Sequence, residues 1–490
     1  MYLCKYYSDT THKFWELLAH IVDTRKVRQK QVAKESSTFV SIKEFSLNRP
    51  NICMGIPFYF ASLAKQHKHI ITVVKHILEV DVFVIDFNCL IHRYLIDTNP
   101  YQSVIRALAH ILEKVCRAKQ VIIAMDGLVP YAKIVQQRYR RMRIGEKGVF
   151  DRNQISPDTP YMRELESLLK QTFPNVIISG TQIPGEGEHK MIHELNKLKK
   201  HQRNTICIYG LDADLILISL QHSGLSKPNG MFLLRESAEF NDPSLKQSEF
   251  SVLSVWNLKK ELPIEIDQYV ALGIMCFGND FMPSLGMFSL REDGYKRALE
   301  VFAEAKQPNL LTSEGRQTFL KVAAQKEMNV LKQRILLRKR PEEKAILGKS
   351  ESMFSRKYGL SILDGVSNMK PVVEAYWKTF HWTLYYFRTG HPPNWFWTYP
   401  YADAPLIVDI LSFEETSELP KKELTFNVTQ QLQFIMPVKS LRAAKRRVMF
   451  PDELHSETRN TWMKKHDWEM RPRISLPWNP EYSLTTIIPI

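Results

Sequence analysis

Seven acidic side chains stand at the ends of apolar runs or beside glycines: Asp86, Asp126, Glu186, Glu188, Asp212, Asp214 and Asp280. A solvated surface carboxylate would be out of place at such positions. Brought together, seven negative charges would repel one another strongly unless cations held them. Carboxylate oxygens are hard donors, so magnesium-like divalent ions are their natural partners. The chemistry such a set suits is two-metal hydrolysis of a phosphodiester. Each aspartate alone has a plainer reading, because Asp at a strand end is also a common cap or turn residue. The whole series in order is harder to explain that way. Asp212 and Asp214 are two apart, and on an extended segment they would share a face. Glu186 and Glu188 lie in GEGEHK (185–190), whose glycines let the backbone bend close to a ligand. Asp280 lies in FGNDF (277–281), after the apolar stretch YVALGIMCF.

A second set follows directly on Asp126. In AKIVQQRYRRMR (132–143), Lys133, Gln137, Arg140 and Arg141 fall on one face if the segment is helical. A basic helix is ordinarily a solvated one. Here it begins beside the acids, and the guanidinium fork suits phosphate, so the spacing predicts an anion pocket. His92 comes six residues after Asp86, where an imidazole can stack on a base. A tryptophan of the 395–397 block, Trp395 or Trp397, would supply the opposite face. Most aromatics of that region read as core.

The elements that must carry these groups alternate strand and helix. VFVID (82–86), VIIAMD (121–126), NVIIS (175–179) and TICIYGLDAD (205–214) read as buried strands, and three of the four end in acids. Asn99 and Pro100 make a helix start before the apolar stripe Val104, Leu108, Ile111, Leu112 and Val115. Met191, Ile192, Leu195 and Leu198 form the apolar face of another helix that begins near Glu188. Alternation of this kind predicts an α/β fold with a mainly parallel sheet flanked by helices. Ligands in such sheets bind at the carboxyl ends of the strands, where these acids fall. The expected organisation is an extension over 1–53, poorly ordered and dispensable, and a core over 54–300. A helical, charged connector then spans 301–365, and an aromatic-rich segment over 366–490 packs on the core. MGIPFYF (54–60) reads like a second protein start.

The chain has 490 residues, 44% apolar and 24% charged, in the ordinary range for a globular protein. Its net charge of +15 favours a polyanionic partner. Six scattered cysteines without a CxxC pair argue against a zinc knuckle or a disulfide framework and fit a reducing, intracellular compartment. No uncharged apolar run reaches transmembrane length, so no membrane partner is expected.

The motifs together resemble the Xrn family of 5′→3′ exoribonucleases. They are MGIPFYF (54–60), VIDFNCLIH (84–92), MDGLVPYAKIVQQRYRRMR (125–143), SGTQIPGEGEHK (179–190), IYGLDADLILISL (208–220) and LLRE (233–236). FGNDFMPSL (277–285), SLREDG (289–294) and LYYFRTGHPPNWFWTYPYADAP (384–405) follow, with a fainter likeness through QFIMPVKSL (433–441). The resemblance implies a PIN/flap-nuclease-like core and a processive enzyme acting from a 5′-monophosphate end of single-stranded RNA, with single-stranded DNA as a further substrate. It implies that the seven acids hold two magnesium ions, with manganese able to substitute. Lys133, Gln137, Arg140 and Arg141 match the family's 5′-phosphate pocket, and His92 and a tryptophan of 395–397 its base stack. A compact, monomeric, cytoplasmic form is expected, of the kind large DNA viruses encode. Two rival readings share the fold. A flap-type 5′ DNA nuclease would carry a glycine-rich helix–hairpin turn after its last acid, where this chain has FMPSLGMFSLREDG. An inactive RNA-binding protein would not need all seven acids.

Overall fold

The computed structural model describes residues 56–448 except 57, 68, 144–148, 238–248, 339–346, 348–349, 362, 364–365 and 402. The extension over 1–53 and the part of the 366–490 segment after 448 therefore lie outside the described residues. The unit treated below comprises Cys53–Glu166 and Asn175–Ile490; Ser167–Pro174 belong to a second unit whose other residues are not described.

In chain order the elements are α1 (Tyr59–Gln66), β1 (Ile71–Val73), β2 (Leu78–Asp86), α2 (Phe87–Tyr94), α3 (Pro100–His110), β3 (Cys116–Ala124), α4 (Tyr131–Arg143), α5 (Pro160–Thr172), β4 (Ile177–Ser179) and α6 (Gly187–Lys197). Then come β5 (Ile206–Tyr209), α7 (Asp214–Gln221), β6 (Met231–Glu236), β7 (Phe250–Ser254), α8 (Val255–Glu261), α9 (Ile266–Phe277) and α10 (Gly294–Glu304). The remainder is helical: α11 (Ser313–Arg338), α12 (Glu351–Ser361), α13 (Lys370–Thr389), α14 (Ile407–Leu411), α15 (Val428–Ile435) and α16 (Val438–Ala443). No helix among the described residues is long and apolar enough to cross a membrane.

The sheet has seven strands in the order β1-β7-β6-β5-β2-β3-β4. Pairs β2–β3, β3–β4, β2–β5 and β5–β6 are parallel, and only β7 runs against its neighbours β6 and β1. This is the mainly parallel α/β sheet expected. Val80 through Asp86 on β2 and all of β5 are buried without alternation, as a strand covered on both faces requires. From β2 the chain builds outward through β3 and β4, then returns to the other side of β2 with β5. The order thus reverses between β2 and β5, and a crevice opens at the carboxyl ends there. Register aligns those ends: Asp86 pairs with Ala124 and Ile85 with Tyr209.

Two expectations differ in detail. The fourth strand stops at Tyr209 rather than reaching Asp214, which opens α7. Asp212 and Asp214 therefore do not share the face of a strand. Asn99 precedes α3 without a side-chain cap, and Pro100 at the first position supplies the start. That helix ends in a π turn, Ile111–Val115, that runs straight into β3.

Helix α9 is buried from Tyr269 to Phe277, a central helix apolar on every side. It stops at Gly278, whose φ of +70° suits glycine and where a Cβ would sit 2.5 Å from the Ser284 nitrogen. Asn279 then accepts from the backbone N–H groups of Phe281 and Met282, which sets the turn that carries Asp280. The aromatics of α13 are mostly core, with Tyr376, Trp377, Phe380, Trp382, Tyr386 and Phe387 buried and Tyr385 exposed.

Within 301–365 the end of α10, α11 and α12 are helical, and α11 buries a glutamate. Glu327 is 3% exposed and accepts from the Ile407 N–H at 2.8 Å. Burial pushes its carboxyl up to about 8, against partial relief from the Ile407 and Val408 amides. The folded state thus holds a proton that the unfolded chain gives up near 4.5, so the stabilisation is full below that pH and is lost as pH rises to about 8. Glu327→Gln keeps the size and the acceptor. Its melting temperature is expected to change less between pH 5 and 8 than the parent's, and to exceed the parent's at pH 8. Parallel melting curves for the two proteins would refute this.

Candidate active site

Asp86 ends β2 and caps α2, accepting from the Cys89 N–H at 3.4 Å and from its thiol at 2.7 Å. Asp126 lies just past β3. Asn88 holds it from both ends, donating to Oδ2 at 3.1 Å and accepting from its N–H at 3.1 Å. The Gly187 N–H donates to Asp126 Oδ1 at 2.8 Å, so the start of α6 is docked on this aspartate. A Cβ on Gly187 would come within 3.1 Å of Asp86 Oδ1, and the glycine is what lets α6 approach. Gly185, at φ +117°, turns the chain into that approach.

Glu186 precedes α6 and Glu188 lies in its first turn. Glu188, Asp212 and Asp214 each offer an oxygen, all within 4.8 Å of one another. The Asp212 carbonyl accepts from Arg235 at 2.5 Å, and the Arg235 guanidinium lies 4.3 Å from the Phe60 ring centroid. This links the MGIPFYF segment to the acids. Lys133 from α4 reaches in from the other side, 2.6 Å from Glu186 and 2.7 Å from Asp280. All seven acids are thus tied to one crevice, by shared ligand positions, by Lys133, or by the mutual field of Asp86, Asp126 and Asp212.

The electrostatics reflect crowding. Burial, then the Asp126 charge, pushes Asp86 up to about 7. Burial, then Asp214, holds Glu188 well above the carboxylate range, and burial, then Asp212, does the same to Asp214. Burial also raises Glu186, though Lys133 opposes it. Burial alone would lower the Lys133 ammonium, but Asp280, Glu186, Glu188 and Asp212 outweigh it and hold the group protonated. Asp214 is fully buried, and neither of its oxygens has a hydrogen-bond partner among the described residues; one oxygen of Glu188 is the same. Buried acceptors of this kind, in an all-oxygen set, fit a hard divalent cation.

The basic face divides. Lys133 sits among the acids. Gln137 is buried, with its carbonyl oxygen unpaired among the described residues. Arg141 is half-buried and donates to the Ile155 carbonyl at 3.2 Å. The Arg140 side chain lies outside the described residues. Helix α15 packs on α4 and on the segment before it: Gln431 accepts from the Val129 N–H at 3.1 Å, and Arg138 of α4 donates to the Phe434 carbonyl with its guanidinium over the Phe434 ring. His92 is half-exposed in the last turn of α2. Trp395 is buried with Tyr131 and Phe426, and the half-buried Trp397 donates its indole N–H to Thr379.

Three neighbours of the acids were not singled out by sequence reasoning. Tyr386 of α13 donates to Glu186 at 2.9 Å. It sits in an aromatic stripe, where nothing distinguishes a site residue from core. Asn88 and His189 lie inside quoted motifs, beside the acids, and position was the only signal they carried.

The site is an α/β sheet with an acidic crevice at its switch point, a donor set whose chemistry suits divalent cations. Residues 54–148 and 144–237 match the profile of the XRN 5′-3′ exonuclease N-terminus, and residues 348–447 that of the Xrn1 helical domain. The chain belongs to the Xrn 5′-3′ exonuclease family. It is 28% identical to 5′-3′ exoribonuclease 1 of Saccharomyces cerevisiae over 331 residues, which is 54% of this chain and 21% of that protein. It is 29% identical to 5′-3′ exoribonuclease 1 of Homo sapiens over 312 residues, 49% of this chain and 18% of the relative. The chain therefore spans about a fifth of the length of these curated relatives. Among solved structures, the catalytic core of Rad2 in complex with a DNA substrate aligns with 68% of this chain and 94% of its own, at 14% identity and a TM-score of 0.36.

Proposed function

We propose that this protein is a 5′→3′ exoribonuclease that hydrolyses single-stranded RNA from a 5′-monophosphate end and releases nucleoside 5′-monophosphates. The observation that carries the reading is the gathering of seven acids at the switch-point crevice of an Xrn-family chain, with the α4 basic face beginning at the same place. Asp86, Asp126, Glu186, Glu188, Asp212, Asp214 and Asp280 would hold two magnesium ions, with manganese able to substitute. Bound there, the ions would supply activation of water and charge neutralisation for an in-line displacement. Lys133 fills part of the charge deficit from the protein side. Gln137, Arg140 and Arg141 would receive the 5′-phosphate; α15 contacts their helix through Arg138 and the segment just before it through Gln431. His92, with Trp395 or Trp397, would stack the terminal base. On this reading residues 54–300 carry the reaction and the 301–365 helices connect them to 366–490, whose Tyr386 orients Glu186. The buried free thiols Cys89, Cys116, Cys207 and Cys276 accord with a reducing, cytoplasmic setting.

The test compares degradation of matched RNAs with 5′-monophosphate, 5′-triphosphate and 5′-hydroxyl ends, beside single-stranded DNA and a DNA flap. The monophosphate RNA is expected to be degraded fastest. Preference for the flap would establish a flap-type nuclease instead, and binding without cleavage an inactive RNA-binding protein. In the same assay Arg141→Ala is expected to reduce the preference for monophosphate over hydroxyl by about one to two orders of magnitude, the loss of a charge-assisted hydrogen bond. Unchanged discrimination would place the phosphate pocket elsewhere.

A further inference from the structure

His189, in the GEGEHK motif at the start of α6, is a residue for which neither packing nor the proposed reaction accounts. It is 1% exposed, and neither ring nitrogen has a hydrogen-bond partner among the described residues. Its ring lies against Tyr386, centroids 3.9 Å apart and planes tilted by 34°. A phenylalanine would fill that slot without the cost of burying two unpaired polar atoms. The imidazole faces the acids: Nε2 is 4.0 Å from Glu188 Oε1. Glu186, Glu188 and His189 each offer a ligand atom, all within 4.8 Å of one another. The neighbouring set, Glu188, Asp212 and Asp214, offers oxygen alone. The two halves of the crevice are thus chemically different, one all oxygen and one mixed oxygen and nitrogen.

We infer that His189 is a nitrogen ligand for a cation held by Glu186 and Glu188, so that this half of the site takes a first-row transition ion in preference to magnesium. The inference rests on the reading that the acids bind divalent ions. Imidazole suits zinc, iron, nickel and copper, whereas magnesium prefers oxygen donors; manganese also prefers oxygen and serves as the paramagnetic probe of the site. The half formed by Glu188, Asp212 and Asp214 has no nitrogen and keeps the hard-ion preference. Glu188 is common to both, as a carboxylate with two oxygens can be. Tyr386 supports the arrangement from behind: its hydroxyl fixes Glu186 and its ring backs the imidazole.

The test adds Mn2+ alone to the full chain, without RNA, and reads binding and ligation by electron paramagnetic resonance. Pulsed spectra of the parent are expected to show the nitrogen coupling of a coordinated imidazole. His189→Phe, which keeps the ring against Tyr386, and His189→Gln are both expected to lose it. The Mn2+ dissociation constant should rise at least about tenfold in His189→Phe, the lower end of what removing even an outer partner of a metal ligand costs. Mg2+ affinity, measured by competition, should change less. Bound Mn2+ without nitrogen coupling in the parent, or coupling that survives in both variants, overturns the inference while leaving the acidic site intact. No Mn2+ binding at all would overturn the acidic-site reading together with it.

Discussion

A Glu188→Gln protein is expected to bind RNA as the parent does and to cleave it about a hundred- to a thousandfold more slowly, the scale on which one preorganised electrostatic group acts in catalysis. Glu188 is common to both potential ligand sets, so its loss weakens both halves of the crevice. The substitution removes no basic contact, which is why RNA binding should persist. It also relieves repulsion, because burial and Asp214 make the ionised Glu188 costly. The variant should therefore melt higher than the parent in chelator, which separates lost chemistry from lost fold. The checks are a single-turnover rate in magnesium, an RNA-binding titration and a melting curve in chelator. Near-parental turnover would remove the acids from the reaction.

The second large effect concerns Lys133. Its ammonium is buried and contacts Glu186 and Asp280, with Glu188 and Asp212 adding to the field. Lys133→Met keeps the stem and deletes the charge. Removing one partner of a buried pair costs about 3–5 kcal/mol, because the acids remain with nothing opposite them. In chelator the variant should lose that much stability. Added magnesium should restore much of it, because ions that bind the folded acids stabilise the fold by mass action. The measurement is denaturant unfolding of parent and variant with chelator and with magnesium. Equal stability in chelator would show that Lys133 serves an incoming phosphate alone and does not hold the acids together.

The strands were legible because burial on both faces leaves an unbroken apolar run, as in VFVID, and the acids were legible because they interrupt such runs at the end. The local geometry at Asp212 and Asp214 was not. The spacing of two suits a strand, but the chain leaves the sheet at Tyr209 and enters α7 at Asp214. At that switch Gly210 lies close under Leu215, a Cβ there standing 2.5 Å from the Leu215 Cδ2. Helical spacing likewise placed Lys133, Gln137, Arg140 and Arg141 on one face of α4. It could not say that Lys133 would turn to Glu186 and Asp280.

By itself the sequence determined the sheet class, the placing of acids at or just past the strand ends and the helical setting of the basic face. Those properties follow from periodicity and from short motifs, both of which act over neighbouring residues. Only the tertiary structure decided which groups meet: Tyr386 with Glu186 across 200 positions, Lys133 with Asp280 across 147, and Gln431 with Val129 across 302. Such contacts depend on how the sheet orders its strands and where the late helices dock. A tyrosine in an apolar stripe carries no local mark of the carboxylate it will find there.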